Sequence, residues 1–187
     1  MSIIAAMPDA LSPAAAPPLH LVVMGVAGCG KSVVGEQLSE SLALPFLDAD
    51  NFHPQGSVEK IERDQPLDAT DHAEWLQRCV QELGAQPLGA ILSCPALRRA
   101  DREALRAVVP RLRFLYLALT PHQAMERAAA RTDQFYPPSL VGADFDALED
   151  PAREPDVLAA DGLQHVDRIV EAALRWLESR ALAYTRA

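Results

Sequence analysis

Residues 25–32 read GVAGCGKS, which fits the spacing G-x-x-x-x-G-K-[ST]. Glycines at both ends let the backbone turn tightly with its amide N–H groups pointing inward. The lysine brings a cation to the outer phosphates of a nucleotide, and the serine hydroxyl is a hard oxygen suited to Mg²⁺. On this pattern Gly25, Val26, Ala27, Gly28, Cys29, Gly30, Lys31 and Ser32 form a nucleotide-binding loop. The competing reading is a chance glycine turn. Cys29 stands near a helix start and a lysine, a setting that lowers a thiol pKa. The simpler reading is a small residue that fits. Some 20 residues on, LDAD places Asp48 and Asp50 two apart at the end of an apolar run. In extended chain they project to one side. One carboxylate can serve Mg²⁺ and the other can take a proton from an attacking hydroxyl.

Cations come next. Arg127 and Arg131 are spaced i, i+4 and share a helix face. They precede an irregular Pro-, Gly- and Asp-containing stretch, about 132–150, that has the makings of a lid. Arginine offsets charge on a transferring phosphoryl group, and lid closure excludes water. Arg98 and Arg102 follow the third apolar run. On a helix, His53, Ser57, Lys60 and Asp64 fall on one face, with Val58 and Ile61 turned to the core. A solvated helix face is the alternative for each of these groups.

The elements that must position these residues alternate. LHLVVMG, LPFLDAD, LGAILSC, LRFLYLAL and PDVLAAD are short apolar runs suited to buried strands. Between them lie helical patterns: KSVVGEQLSESLA with Val34, Leu38 and Leu42 in step, DHAEWLQRCVQELGA with Asp71 as N-cap, and RRADREALRAVV stopped by Pro110. TPHQAMERAAAR starts at a Thr120 cap with Pro121 at the first helical position. The last pattern puts Val166, Ile169, Val170, Ala173 and Leu177 on one face. Strands alternating with helices predict a three-layer α/β/α domain around a central parallel sheet. Ligands in such sheets sit at the carboxyl ends of strands, where the motifs fall. Residues 1–18 are Ala- and Pro-rich and read as a disordered tail, leaving 19–187 as one domain.

The chain has 187 residues, enough for one sizeable core, and a formal charge of −9. That charge argues against a sequence-independent nucleic-acid binder. No apolar run approaches the roughly 20 residues of a membrane span. Cys29, Cys79 and Cys94 have no metal-type spacing and read as reduced cytoplasmic thiols. Trp75 and Trp176 are assigned to packing.

GVAGCGKS, FLDADNFHP, VEKI, PLDATDHAEWL and LSCPALRRADREALR together resemble the small gluconokinases, P-loop sugar-acid kinases related in fold to shikimate and nucleoside monophosphate kinases. The resemblance runs from about residue 20 to 178. It implies a P-loop kinase fold with a mobile lid and ATP-dependent phosphorylation of D-gluconate to 6-phospho-D-gluconate. It implies Lys31 on the phosphates, Ser32 on Mg²⁺ with Asp48 nearby, Asp50 as base, and His53, Lys60 and Arg98 in the substrate pocket. It also implies Arg131 at the transferring group, Arg127 on the nucleotide, and by analogy a homodimer. The chain departs from the pattern at Ser57 (usually Asn), Asp64 (Gly), 69–72 (D-D-D-R, here ending in His72), Pro95 and Arg98 (C-S-A-L-K). In the lid it departs at Gln134 (His), Ala143 and Asp144 (S-Q). These changes spare Lys31, Ser32 and Asp50 and fall on the acceptor half. Two alternatives stay open: a kinase of another small sugar acid, and a nucleotide-binding protein that has lost catalysis.

Overall fold

Five apolar runs become strands because their branched and aromatic side chains fill both faces of a sheet covered on both sides. The computed structural model describes residues 18–63, 65–130 and 141–184. Strands β1 (Leu19–Met24), β2 (Phe46–Asp48), β3 (Gly89–Ser93), β4 (Arg113–Ala118) and β5 (Val157–Asp161) form one sheet in the order β2-β3-β1-β4-β5. Every neighbouring pair is parallel. All the strands therefore deliver their carboxyl ends to one edge. The helices are α1 (Lys31–Leu42), α2 (Gln55–Glu62), α3 (Ala69–Gly84), α4 (Arg99–Val108), α5 (Pro121–Ala129), α6 (Val141–Ala147) and α7 (Val166–Tyr184). A 3₁₀ turn, Ala49–Phe52, follows β2.

Alternation along the strands divides the core in two. Leu21 and Val23 of β1 join Val34 and Leu38 of α1 and Ile169, Ala173 and Leu177 of α7. Val22 and Met24 face the other way, onto Trp75, Cys79 and Leu83 of α3 and Leu105 of α4. Each fully buried aliphatic side chain contributes about 1.5–3 kcal/mol. The three-layer α/β/α expectation is met.

Local signals set the helix ends. Thr120 caps α5 with Pro121 behind it, and Gln123 reciprocates. The start of α3 differs from the reading above. Asp68, not Asp71, is the N-cap. Its carboxylate accepts from Thr70 N and Asp71 N, while Asp71 returns the bond to Asp68 N at 2.9 Å. The boundary moves because this reciprocal box satisfies more orphan N–H groups than a single cap.

Arg102 is a structural residue. It is fully buried, and its guanidinium donates to Ala96 O and Leu97 O (2.8 Å each), to Glu149 O (3.0 Å) and to the Glu154 carboxylate. Ala96 has φ +44°, in the left-handed region. Arg102 thus clamps the strained loop between β3 and α4. The tail, apart from Pro18, lies outside the described residues, as do Arg131 and residues 132–140 of the lid stretch. No helix among the described residues is long and apolar enough to cross a membrane.

Candidate active site

The phosphate loop leaves β1 and enters α1, as its motif requires. Gly25 has φ +141°, and a Cβ there would lie 2.7 Å from Leu117 O, so the position needs glycine. Gly30, the N-cap of α1, is left-handed at φ +98°. Gly25 N donates to Pro95 O at 3.3 Å, tying the loop to the segment after β3. Lys31 Nζ lies 3.2 Å from Val26 O, folded over its own loop. Arg127 of α5 donates to Cys29 O at 3.3 Å. It flanks the loop and is absent from the cavity wall.

Asp48 ends β2. Its Oδ2 accepts from Ser32 Oγ at 3.0 Å and its Oδ1 from Asp50 N at 3.1 Å. One carboxylate therefore links the phosphate loop to the turn that carries Asp50. Asp50 is in that 3₁₀ turn, not in extended chain as expected, because Asp48 caps the turn. Asp50 opens into the cavity, yet the surrounding walls desolvate it. Desolvation pushes its carboxyl above the usual range, the Asp48 charge adds to this, and Lys31 opposes.

Lys31, Ser32 and Asp50 line a cavity of about 850 Å³ at the carboxyl edge of the sheet, with His53, Arg98 and Asp144. His53 stacks on Trp75 at 5.4 Å. Burial lowers the His53 pKa, His72 lowers it further and Asp71 opposes. Trp75 donates Nε1–H to Ala49 O at 2.8 Å, which fixes the turn before Asp50. His72 Nε2 is 3.0 Å from Asp101 Oδ1, and both line the same wall.

Two expectations need correction. First, α2 does not turn His53, Ser57 and Lys60 to a ligand. His53 precedes the helix in extended conformation, Ser57 is buried with its hydroxyl on Asp71 (3.2 Å), and Ile61 reaches the cavity wall. Second, Lys60 is held by Asp68 and Asp71 and is not on the cavity wall. Asp64 is outside the described residues. Cys29 follows the simpler reading: it is buried and its pKa is raised, because desolvation outweighs Lys31 and Arg127. It is a residue that fits. Arg131 and Gln134 lie outside the described residues. Sequence reasoning missed Trp75, Ser93, Asp101 and Asp144 on the wall. Ser93 was findable, since it ends a strand at the edge where ligands bind.

The residues present suit Mg²⁺ and a nucleotide. Ser32 and Asp48 bring a hydroxyl and a carboxylate together beside the loop amides. Among the described residues no cluster of three or more His, Cys, Asp or Glu could hold a metal. A hydroxyl and a carboxylate are hard oxygen ligands of the kind Mg²⁺ takes.

Comparison with known proteins gives consistent results. A family model described as "AAA domain" matches residues 21–155. The gluconokinase of Gluconobacter oxydans (strain 621H) is 34% identical over 165 residues, covering 87% of this chain and 93% of that protein. The thermoresistant gluconokinase of Escherichia coli (strain K12) is 32% identical over 157 residues, covering 82% and 90%. The crystal structure of a gluconokinase from Sinorhizobium meliloti 1021 superposes with a TM-score of 0.82 at 35% identity, covering 91% of this chain and 98% of that one.

Proposed function

The chain belongs to the gluconokinase family, and on that premise we propose that its cavity carries out ATP-dependent phosphorylation of D-gluconate to 6-phospho-D-gluconate. The observation that carries the reading is the meeting of Lys31, Ser32 and Asp50 on one cavity wall, drawn from the start of α1 and the turn after β2.

The loop amides of residues 25–32 hold the phosphates and Lys31 neutralises the outer ones. Ser32 and Asp48 would hold Mg²⁺. When bound, the ion screens charge on the phosphates. Asp50 takes the proton of the acceptor hydroxyl as that oxygen attacks. The acceptor O–P bond forms, the bond to the bridging oxygen breaks, and ADP leaves with that electron pair. A raised Asp50 carboxyl makes a stronger base than an ordinary aspartate. Arg98 faces the acceptor carboxylate, and His53, stiffened by Trp75, faces its hydroxyls. Arg127 braces the loop against α5. Arg131 at the transferring phosphoryl group rests on the family resemblance. Lys60 acts at a distance, pinning the start of α3 through Asp68 and Asp71. A cytoplasmic homodimer completes the reading by family analogy.

The test is a coupled ADP-release assay with Mg²⁺-ATP on gluconate, other aldonates and shikimate, with Lys31→Ala as blank. Turnover on gluconate at roughly 1–100 s⁻¹ is expected. Turnover on another aldonate alone would move the acceptor assignment. Silence on all acceptors with ATP still bound would overturn the kinase reading.

A further inference from the structure

The amide of Ala27 belongs to the phosphate loop, yet it donates to a carboxylate: Asp144 Oδ2 accepts from it at 2.7 Å. Asp144 sits on α6, which the chain anchors through buried Val141 in the same core cluster as Ala124 and Ala128 of α5. Its side chain is only 8% exposed and it lines the cavity with Lys31 and Asp50. A buried carboxylate on a loop N–H is a short, charge-assisted contact. Such loops offer their N–H groups to phosphate oxygens. Asp144 therefore stands where an anionic ligand oxygen is expected.

We propose that Asp144 is a nucleotide-discriminating residue. Its carboxylate holds the Ala27 amide when the loop is empty and must yield to the terminal phosphate of ATP, which ADP lacks. Two anions cannot share one N–H without repelling each other. The more highly charged nucleotide meets more of the Asp144 field. After transfer the carboxylate returns to Ala27. Asp144 thus tunes the ratio of ATP to ADP affinity, lowering it relative to a neutral side chain. The inference rests on residues 25–32 being the phosphate loop.

The experiment is calorimetric titration of the full chain with Mg²⁺-ATP and with Mg²⁺-ADP, without acceptor. Wild type is compared with Asp144→Asn, which keeps size and an acceptor oxygen but loses the charge. Asp144→Ser serves as a second neutral variant, and circular dichroism checks that each is folded. Expected is a gain in ATP affinity on the order of tenfold and a gain in ADP affinity under about threefold. A purely structural role would move both nucleotides together. Equal changes, no change, or weaker ATP binding in either folded variant would overturn the proposal and leave the phosphate loop standing. A wild-type chain that binds neither nucleotide would overturn the loop assignment and the proposal with it.

Discussion

Lys31 and Asp50 share a cavity wall, but their substitutions should read differently. Lys31→Ala removes the cation that meets the outer phosphates. Turnover should fall by at least about 10²–10³-fold, the usual cost of one transition-state donor. Asp50→Asn should leave nucleotide affinity nearly intact and lower kcat by about 10²–10⁴-fold, the range for a lost base. Titration with Mg²⁺-ATP beside a rate assay separates the two. The raised Asp50 carboxyl also has a sign. The ionised form does the chemistry, so kcat/KM should fall as pH drops through a value above the usual aspartate of about 4, and Asp50→Asn should lose that acid limb. For stability the direction reverses. A carboxyl raised on folding is most favourable when protonated, so stability falls as pH rises through the folded pKa. Asp50→Asn should therefore melt higher than wild type at neutral pH, with the gap closing below about pH 4. Equal melting at both pH values would mean that the carboxyl is not perturbed.

At the scale of elements, Arg102 is the test case. Burial alone would raise the Glu154 carboxyl, but the bonds from Arg102 and Arg106 outweigh it and hold it below the usual range. Arg102→Ala leaves Glu154 without its buried partner and frees the Ala96 loop. A loss of about 3–5 kcal/mol is expected by urea denaturation, since one half of a buried pair is removed. The strands and most helices were legible because each signal is local: an apolar run, a Thr-Pro start, a proline stop. The α2 face was misread although its correction was in the sequence. The residue before proline is pushed to extended backbone, so His53 before Pro54 could not begin a helical face. Other parts of the site were not legible at all. Ala27 and Asp144, or His72 and Asp101, meet across 117 and 29 residues, and only the packed fold brings them together. Trp75 was assigned to packing and does pack, at 5% exposure, but one side of it also walls the cavity.

At the scale of the molecule, the phosphate loop is joined to β2 through Ser32 and Asp48, and to α6 through Asp144. A ligand that engages the loop should steady these elements together. Mg²⁺-ATP at 100 times its Kd should add about 2.7 kcal/mol to stability, read as a rise in Tm, and Lys31→Ala should lose most of that rise. An unchanged wild-type Tm at saturating nucleotide would argue against the site. The placement of aromatic rings has a consequence for measurement. The chain has two tryptophans, and they lie in different settings. Trp176 is on α7 with Arg180 at 6.0 Å, whereas Trp75 is wedged against His53 and His72 on the cavity wall. An acceptor that shifts either imidazole will alter quenching of the Trp75 indole and leave Trp176 as a steady background. With Trp176→Phe, intrinsic fluorescence becomes a label-free titration of the acceptor half, readable without turnover and without nucleotide.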